Sequence, residues 1–434
     1  MSKKAMIGLS AVQMVASIKD KSFSAVELAQ ETLGFIQERD AEVRAWLCWS
    51  EGRVLERARL IDSGEISGVL AGVPVGIKDI IDTSEYPTCH GSPIYKGHQP
   101  GFDAASVALI KEAGGIVVGK TVTTEFAYFQ PGPTANPHNL KHTPGGSSSG
   151  SAAAVAAGMV PVALATQTAG SLIRPASYCG IWGYKPSFGL FSLAGIKPMA
   201  QSLDTLGVLA RHVEDLALMQ AVLLKSPGCA ALEPFGGVPT IGVCRTYDWP
   251  SADEDSRRVL GEAAEALADT GANVVECDLP SGFEGVTQAQ RVIQAFETAR
   301  ALSLEHACYL DKLSPSIIKL IDEGMACSQK TYFEAQLLVA ECRAKSKGMF
   351  DLYDAVLAPS APGAAPEGLK ATGDPIFSRM WMPLHVPCIN MPFGRGSSGL
   401  PVGVQLISGF LHDSRLLQLS AWAEQKLGIH VEPV

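Results

Sequence analysis

No stretch of this sequence is apolar for long. The best candidate, around Val155 to Ala169, is cut by Gly158 and Pro161 and falls short of the roughly 18 uninterrupted apolar residues that a membrane-crossing helix needs. Charge is sparse, at 18% of residues, and no block of one sign runs together as a nucleic-acid arm would. Ten cysteines are present, but none pair as Cys-x-x-Cys and none cluster with histidine at zinc spacing, so buried, reduced thiols are the plain reading and no metal site emerges. Internal repeats and low-complexity linkers are absent, which excludes a solenoid. The first residues carry Lys3 and Lys4 but meet Gln13, Lys19 and Asp20 before any long apolar core develops, so no signal peptide is expected there. With a net charge of −9, these absences predict a cytoplasmic protein with a small-molecule partner, no nucleic acid and no membrane contact; a homodimer is left open.

What is abundant is apolar residue, 47% over 434 positions, enough for one large core. Ser24 and Glu27 form a capping box ahead of Val26, Leu28, Leu33 and Ile36, predicting an outer helix. From Gly72 the pattern becomes β-branched around a single lysine, Val-Pro-Val-Gly-Ile-Lys78-Asp79, a short buried strand with Lys78 at its end. Asp103 is placed to cap a helix through Ala113, which Gly114 stops, and 116–118 reads as the next strand. Similar alternation returns with strands at 162–164, 241–244, 273–276, 356–361 and 402–407. Helices are expected at about 253–268, 288–306, 330–347 and 416–426. The class is α/β.

Two glycine-bearing loops stand out. In Thr143-Pro-Gly-Gly-Ser-Ser-Ser-Gly-Ser151, three serines sit between glycines and lead into an alanine-rich helix. Alone this could cradle an anion at a helix N-terminus, but it lacks the Gly-Lys-Ser/Thr of a P-loop and the spacing of a dinucleotide fingerprint. The second loop, Thr166-Gln-Thr-Ala-Gly-Ser171, follows the strand at 162–164 and would put Ser171 on a sharp turn. That is the logic of a nucleophile elbow without the Gly-x-Ser-x-Gly pattern.

Taken together the loops resemble the signature of the amidase signature family, whose usual form pairs a Gly-Gly-Ser-Ser-Gly loop with Thr-Asp-Thr-Gly-Gly-Ser. Ser171 follows Ser147 by 24 positions, as in that pattern, and Cys179-Gly-Ile-Trp-Gly-Tyr-Lys-Pro continues it. Upstream, Gly72-Val-Pro-Val-Gly-Ile-Lys78-Asp matches the segment bearing the family's lysine, and the likeness resumes near 387–392 and 399–407. The resemblance implies one α/β/α sandwich around a large mixed sheet; along the chain the expected divisions are an N-terminal helical layer (1–66), a signature core (67–227), a helical subdomain or substrate cap (228–350), which the resemblance leaves unassigned and thinning strand signals suggest, and a C-terminal return to the sheet (351–434). It implies amide hydrolysis without metal or organic cofactor. It also assigns Ser171 as nucleophile, Lys78 as base and Ser147, after a cis peptide bond, as the relay between them. The N–H groups of Thr168, Ala169, Gly170 and Ser171 would form the oxyanion hole.

For Lys78 to be a base it must be neutral, which burial beside hydroxyls would favour; Asp79, on an extended strand, would point to the other face. From sequence alone a buried strand-end lysine is more often a structural ion-pair partner, and only the motif reverses that preference. Ser148 and Ser149 read as caps or loop braces, and Tyr128 and Phe129 as core or acyl-pocket lining. Arg174 reads as a structural salt bridge in preference to a contact for a substrate carboxylate, because the family's commoner form has arginine where this chain has Ile173. Gln167 and Ala169 replace the usual Asp and Gly. The leading reading is a free-standing hydrolase of linear amides or of related ureido and carbamate bonds. Its rivals are a glutamine-hydrolysing subunit of a tRNA-dependent amidotransferase and a non-enzymatic anion-binding protein.

Overall fold

The computed structural model describes residues 6–226 and 231–434. Eleven strands form one mixed sheet: β1 (Trp46–Trp49), β2 (Pro74–Lys78), β3 (Ile116–Thr121), β4 (Val162–Gln167), β5 (Trp182–Lys185), β6 (Thr205–Ala210), β7 (Thr240–Val243), β8 (Asn273–Glu276), β9 (Ala355–Pro359), β10 (Cys388–Arg395) and β11 (Pro401–Ile407). Their order is β1-β3-β2-β4-β6-β5-β10-β11-β9-β7-β8. β2 runs parallel to both β3 and β4, and β7 parallel to β8 and β9; the remaining pairs are antiparallel.

The central strands are buried from end to end because helices cover both faces, and alternate side chains serve different cores. In β4, Val162 and Leu164 join one apolar cluster, with the helices Ala105–Glu112, Val213–Leu223, Glu254–Asp269 and Asp413–Leu427. Ala163 and Ala165 face the other, with the helices Ala25–Val43, Glu51–Asp62, Ser149–Ala156 and Ile173–Cys179. This is the expected three-layer sandwich. The capping box at Ser24 forms in full: Glu27 N–H donates to Ser24 Oγ (3.1 Å) and Ser24 N–H to Glu27 Oε2 (2.7 Å).

Asp103 does not cap its helix, which starts at Ala105 without a side-chain cap. Its carboxylate instead takes the Ser84 N–H (2.7 Å) and the Lys111 ammonium (2.9 Å), partners invisible to a local capping rule. Gly114, at φ +88°, ends that helix as predicted. The expected 228–350 subdomain begins outside the described residues, and its described part divides in two. Residues 240–276 add β7, the helix Glu254–Asp269 and β8 to the sheet, whereas Val286–Ala301, Pro315–Ala326 and Gln329–Phe350 are helices. Among the described residues no helix is long and apolar enough to cross a membrane.

Candidate active site

Lys78 ends β2 and Thr166 lies near the end of its parallel neighbour β4, so the carboxyl ends of adjacent strands bring them together, where open α/β sheets generally place their ligands. Lys78 is fully buried. Its Nζ lies 2.8 Å from Ser147 Oγ, 2.7 Å from Thr166 Oγ1 and 3.5 Å from the Thr166 carbonyl. All three contacts run from the Lys78 nitrogen as donor to oxygen acceptors, and none of them is a carboxylate.

Burial pushes the Lys78 amine well below its ordinary range, opposed only in part by the charge of Asp204. Asp79 takes no part in this. Its carboxylate accepts the N–H groups of Cys89 (3.0 Å) and Gly91 (3.4 Å) and lies 3.8 Å from Lys120, a second buried lysine on β3. Burial raises Asp79 to about 6 and lowers Lys120 to about 8. The pair absorbs the carboxylate that would otherwise hold Lys78 protonated.

The peptide bond Gly146–Ser147 is cis. The loop is locked from two sides. Gly145 has φ +82°, and a Cβ there would come within 2.9 Å of Pro175 Cα. Arg174 donates from Nη2 to the Gly146 carbonyl (2.6 Å) and from Nη1 to the Gly373 carbonyl (2.9 Å). The salt bridge expected of Arg174 is not made: among the described residues no carboxylate lies within 4.0 Å of it, and burial with carbonyl partners replaces the counter-ion. Ser148 and Ser149 do not cap the helix, which begins at Ser149. Their hydroxyls reach the Thr166 carbonyl (3.2 Å) and the Val122 carbonyl (3.4 Å), bracing the loop on the sheet.

Ser171 sits in the turn between β4 and the helix Ile173–Cys179, and its carbonyl accepts the N–H of Ser148 (3.2 Å), so its backbone abuts that of the residue after Ser147. Among the described residues its hydroxyl has no hydrogen-bond partner, and neither do the N–H groups of Thr168, Ala169, Gly170 and Ser171. Four unspent donors beside an unspent hydroxyl are what an oxyanion needs. Gln167 shapes this turn: its Oε1 accepts the N–H groups of Leu172 (2.9 Å) and Ile173 (3.0 Å), a bond pair a carboxylate would also make. Ala169 avoids the left-handed region, so its methyl group adds no backbone strain, whereas a Cβ on Gly170 would come within 2.6 Å of Pro375. Asp204 accepts the Thr168 hydroxyl (2.5 Å) and the N–H groups of Met199 and Ala200, and burial raises it to about 6.

Ser171 and residues 168–170 open on a narrow pocket also lined by Tyr128, Phe129, Gln294 and Arg379. This widens into a basin of about 600 Å³ between the helices Val286–Ala301 and Pro315–Ala326 and residues 370–374. Tyr128 and Phe129 are therefore pocket lining. Thr166, Asp204, Gln290, Gln294 and Arg379 were not read as site residues: Thr166 opens the second glycine loop and Asp204 lies at 202–207, but nothing local marks either as facing Lys78, and Gln290, Gln294 and Arg379 reach the site from helices distant in sequence. Among the described residues no group of three or more histidine, cysteine or acidic side chains is arranged to hold a metal ion.

Comparison with known proteins agrees with this geometry. The family model described as Amidase matches residues 27–417. A glutamyl-tRNA(Gln) amidotransferase subunit from Symbiobacterium thermophilum is 33% identical, over 98% of this chain and 98% of its own length. Among solved structures, an inhibitor-bound complex described as vestigial and bearing on the origins of an s-triazine catabolic enzyme superposes with a TM-score of 0.88. It shares 29% identity, over 97% of this chain and 99% of that one. A crystal structure of an amidase matches with a TM-score of 0.88 at 26% identity, over 96% of this chain and 100% of the other. The expectation that nucleic acid lies outside this protein's partners is overturned by the first likeness, to a near full-length relative whose name includes tRNA. Composition misled because the lack of a basic arm bears only on direct electrostatic attraction by this chain, not on what an assembly handles.

Proposed function

Because the chain belongs to the amidase signature family, and so is a serine-based hydrolase of carbon–nitrogen bonds, we propose that its acyl acceptor is Ser171 and that its substrate is the side-chain amide of glutamine, hydrolysed to yield ammonia within a tRNA-dependent amidotransferase of several subunits. The observation that carries the chemistry is the Lys78 amine, fully buried, 2.8 Å from Ser147 and, among the described residues, without a carboxylate partner. Neutral Lys78 draws the proton of Ser147; Ser147, whose hydroxyl is not hydrogen-bonded to that of Ser171 here, draws the Ser171 proton once the two hydroxyls close, and Ser171 Oγ forms a bond to the amide carbon. The carbonyl electron pair moves onto oxygen, where the N–H groups of 168–171 receive it. Collapse expels the nitrogen, which takes the proton back through Ser147 and leaves as ammonia. Water repeats the cycle on the acyl-serine.

Glutamine is supported by relatives of 29% to 33% identity that are all named as glutamyl-tRNA(Gln) amidotransferase subunits. It is also supported by a basin that mixes Arg291, Arg379 and Lys370 with Asp374 and Glu323, charges of both signs as an amino acid carries. A second reading, a free-standing amidase, is favoured by the match to a solved amidase. The test is ammonia release from glutamine by the purified chain, alone and with glutamyl-tRNA(Gln) and co-purified subunits. Release that rises with the added components and vanishes in Ser171→Ala supports the first reading. Turnover of simple amides but not of glutamine, unaffected by any addition, would replace it with the second.

A further inference from the structure

Arg379 is the most conspicuous group in the cavity that the reaction as described leaves unused. It is only 7% exposed, yet it lines both the narrow pocket holding Ser171 and the basin beyond it. Two glutamines fix its orientation. Nη1 donates to Gln290 Oε1 (2.5 Å) and Gln294 Oε1 (3.4 Å), while Gln290 Nε2 donates to the Thr168 carbonyl (3.1 Å) and to Gln294 Oε1 (3.1 Å). This spends one nitrogen of the guanidinium. The Nε–H is buried without an acceptor, and Nη2 has none among the described residues. Nε and Nη2 together form the edge of a guanidinium that grips a carboxylate with two parallel bonds. Burial lowers the group only to about 10, so it stays charged at neutral pH. Asp374 and Asp248 influence it, but among the described residues no carboxylate lies within 4.0 Å, and Asp248 is already bonded to the Thr287 hydroxyl (2.9 Å).

A buried arginine with a free fork beside a nucleophile calls for an anion supplied by the ligand. We propose that Arg379 is the specificity-determining residue of this site and that it selects amides bearing a carboxylate a few carbons from the scissile bond. The short reach follows because Arg379 and Ser171 share the same narrow pocket. Since Gln290 ties Arg379 to the Thr168 carbonyl, an anion bound there also steadies the loop whose N–H groups face the reacting oxygen.

The inference rests on reading Ser171 as the nucleophile, and the test separates the two. Binding is measured by calorimetry on Ser171→Ala, with and without Arg379→Gln or Arg379→Lys. The probes are succinamate, glutaramate and glutamine, against the neutral amides butyramide and valeramide. Loss of the fork is expected to weaken the best carboxylated probe by on the order of a hundredfold, a typical cost for a buried charge partner, with neutral amides within about threefold and Arg379→Lys intermediate. Equal weakening of neutral and carboxylated probes, or no preference for carboxylate on the Arg379 background, overturns it. Turnover and fluorophosphonate labelling of the protein with Ser171 intact report separately on the nucleophile.

Discussion

At the scale of single residues, the site depends on charges kept away from Lys78 rather than on charges brought to it. Asp79 is occupied by Lys120 and two backbone N–H groups, leaving Asp204 as the carboxylate whose field opposes deprotonation. With Lys78 as the proposed base, activity requires the neutral amine and rises with pH through the Lys78 transition. An ionised Asp204 holds that transition up, and Asp204→Asn is expected to move the acid limb of the kcat/KM profile to lower pH, read from a pH series on any turned-over amide. A limb that stays in place would separate Asp204 from the base. Gln167→Ala removes the acceptor for two N–H groups at the Ser171 turn. It should cost about 1–3 kcal/mol of stability by denaturant melts, with kcat falling more than KM rises. Lys78, Ser147 and Ser171 were singled out because motifs that resemble a family signature carry them, and the structure brings Lys78 and Ser147 to 2.8 Å. Arg174 was legible as important but not in its role, since the carbonyl of Gly373 lies 199 positions away.

At the scale of elements, the wall of the basin is a pair of crossing helices, and Gly324 is the point where they meet. A Cβ there would run into the Ala295 carbonyl. Gly324→Ala is therefore expected to destabilise by about 2 kcal/mol through overpacking, and to raise KM by moving Gln294, Arg291 and Leu320. An unchanged melting temperature and KM would show that the crossing yields freely. The long helices were readable from periodicity, with Val286–Ala301 and Gln329–Phe350 close to the expected 288–306 and 330–347. β7 and β8 were also found, but as four-residue strands they gave no sign that they extend the main sheet, because strand pairing is a property of partners rather than of either segment.

At the scale of the whole molecule, one continuous sheet with a large core on each face leaves no seam along which a unit could melt alone. Scanning calorimetry should show a single transition whose van't Hoff and calorimetric enthalpies agree; two resolved peaks would assign independent stability to part of the 228–350 stretch. The α/β class was legible from the alternation of strands and helices and the sandwich from the family resemblance, while the strand order was not, since it is fixed by contacts between the two halves of the chain. That order also governs when the protein can exist during its own synthesis. β10 and β11 are among the last strands made, yet they sit between β5 and β9. A ribosome that has not passed residue 407 carries two partial sheets with facing open edges, so chaperone capture and premature termination act on a species whose serine loops are present but whose sheet is still in two pieces.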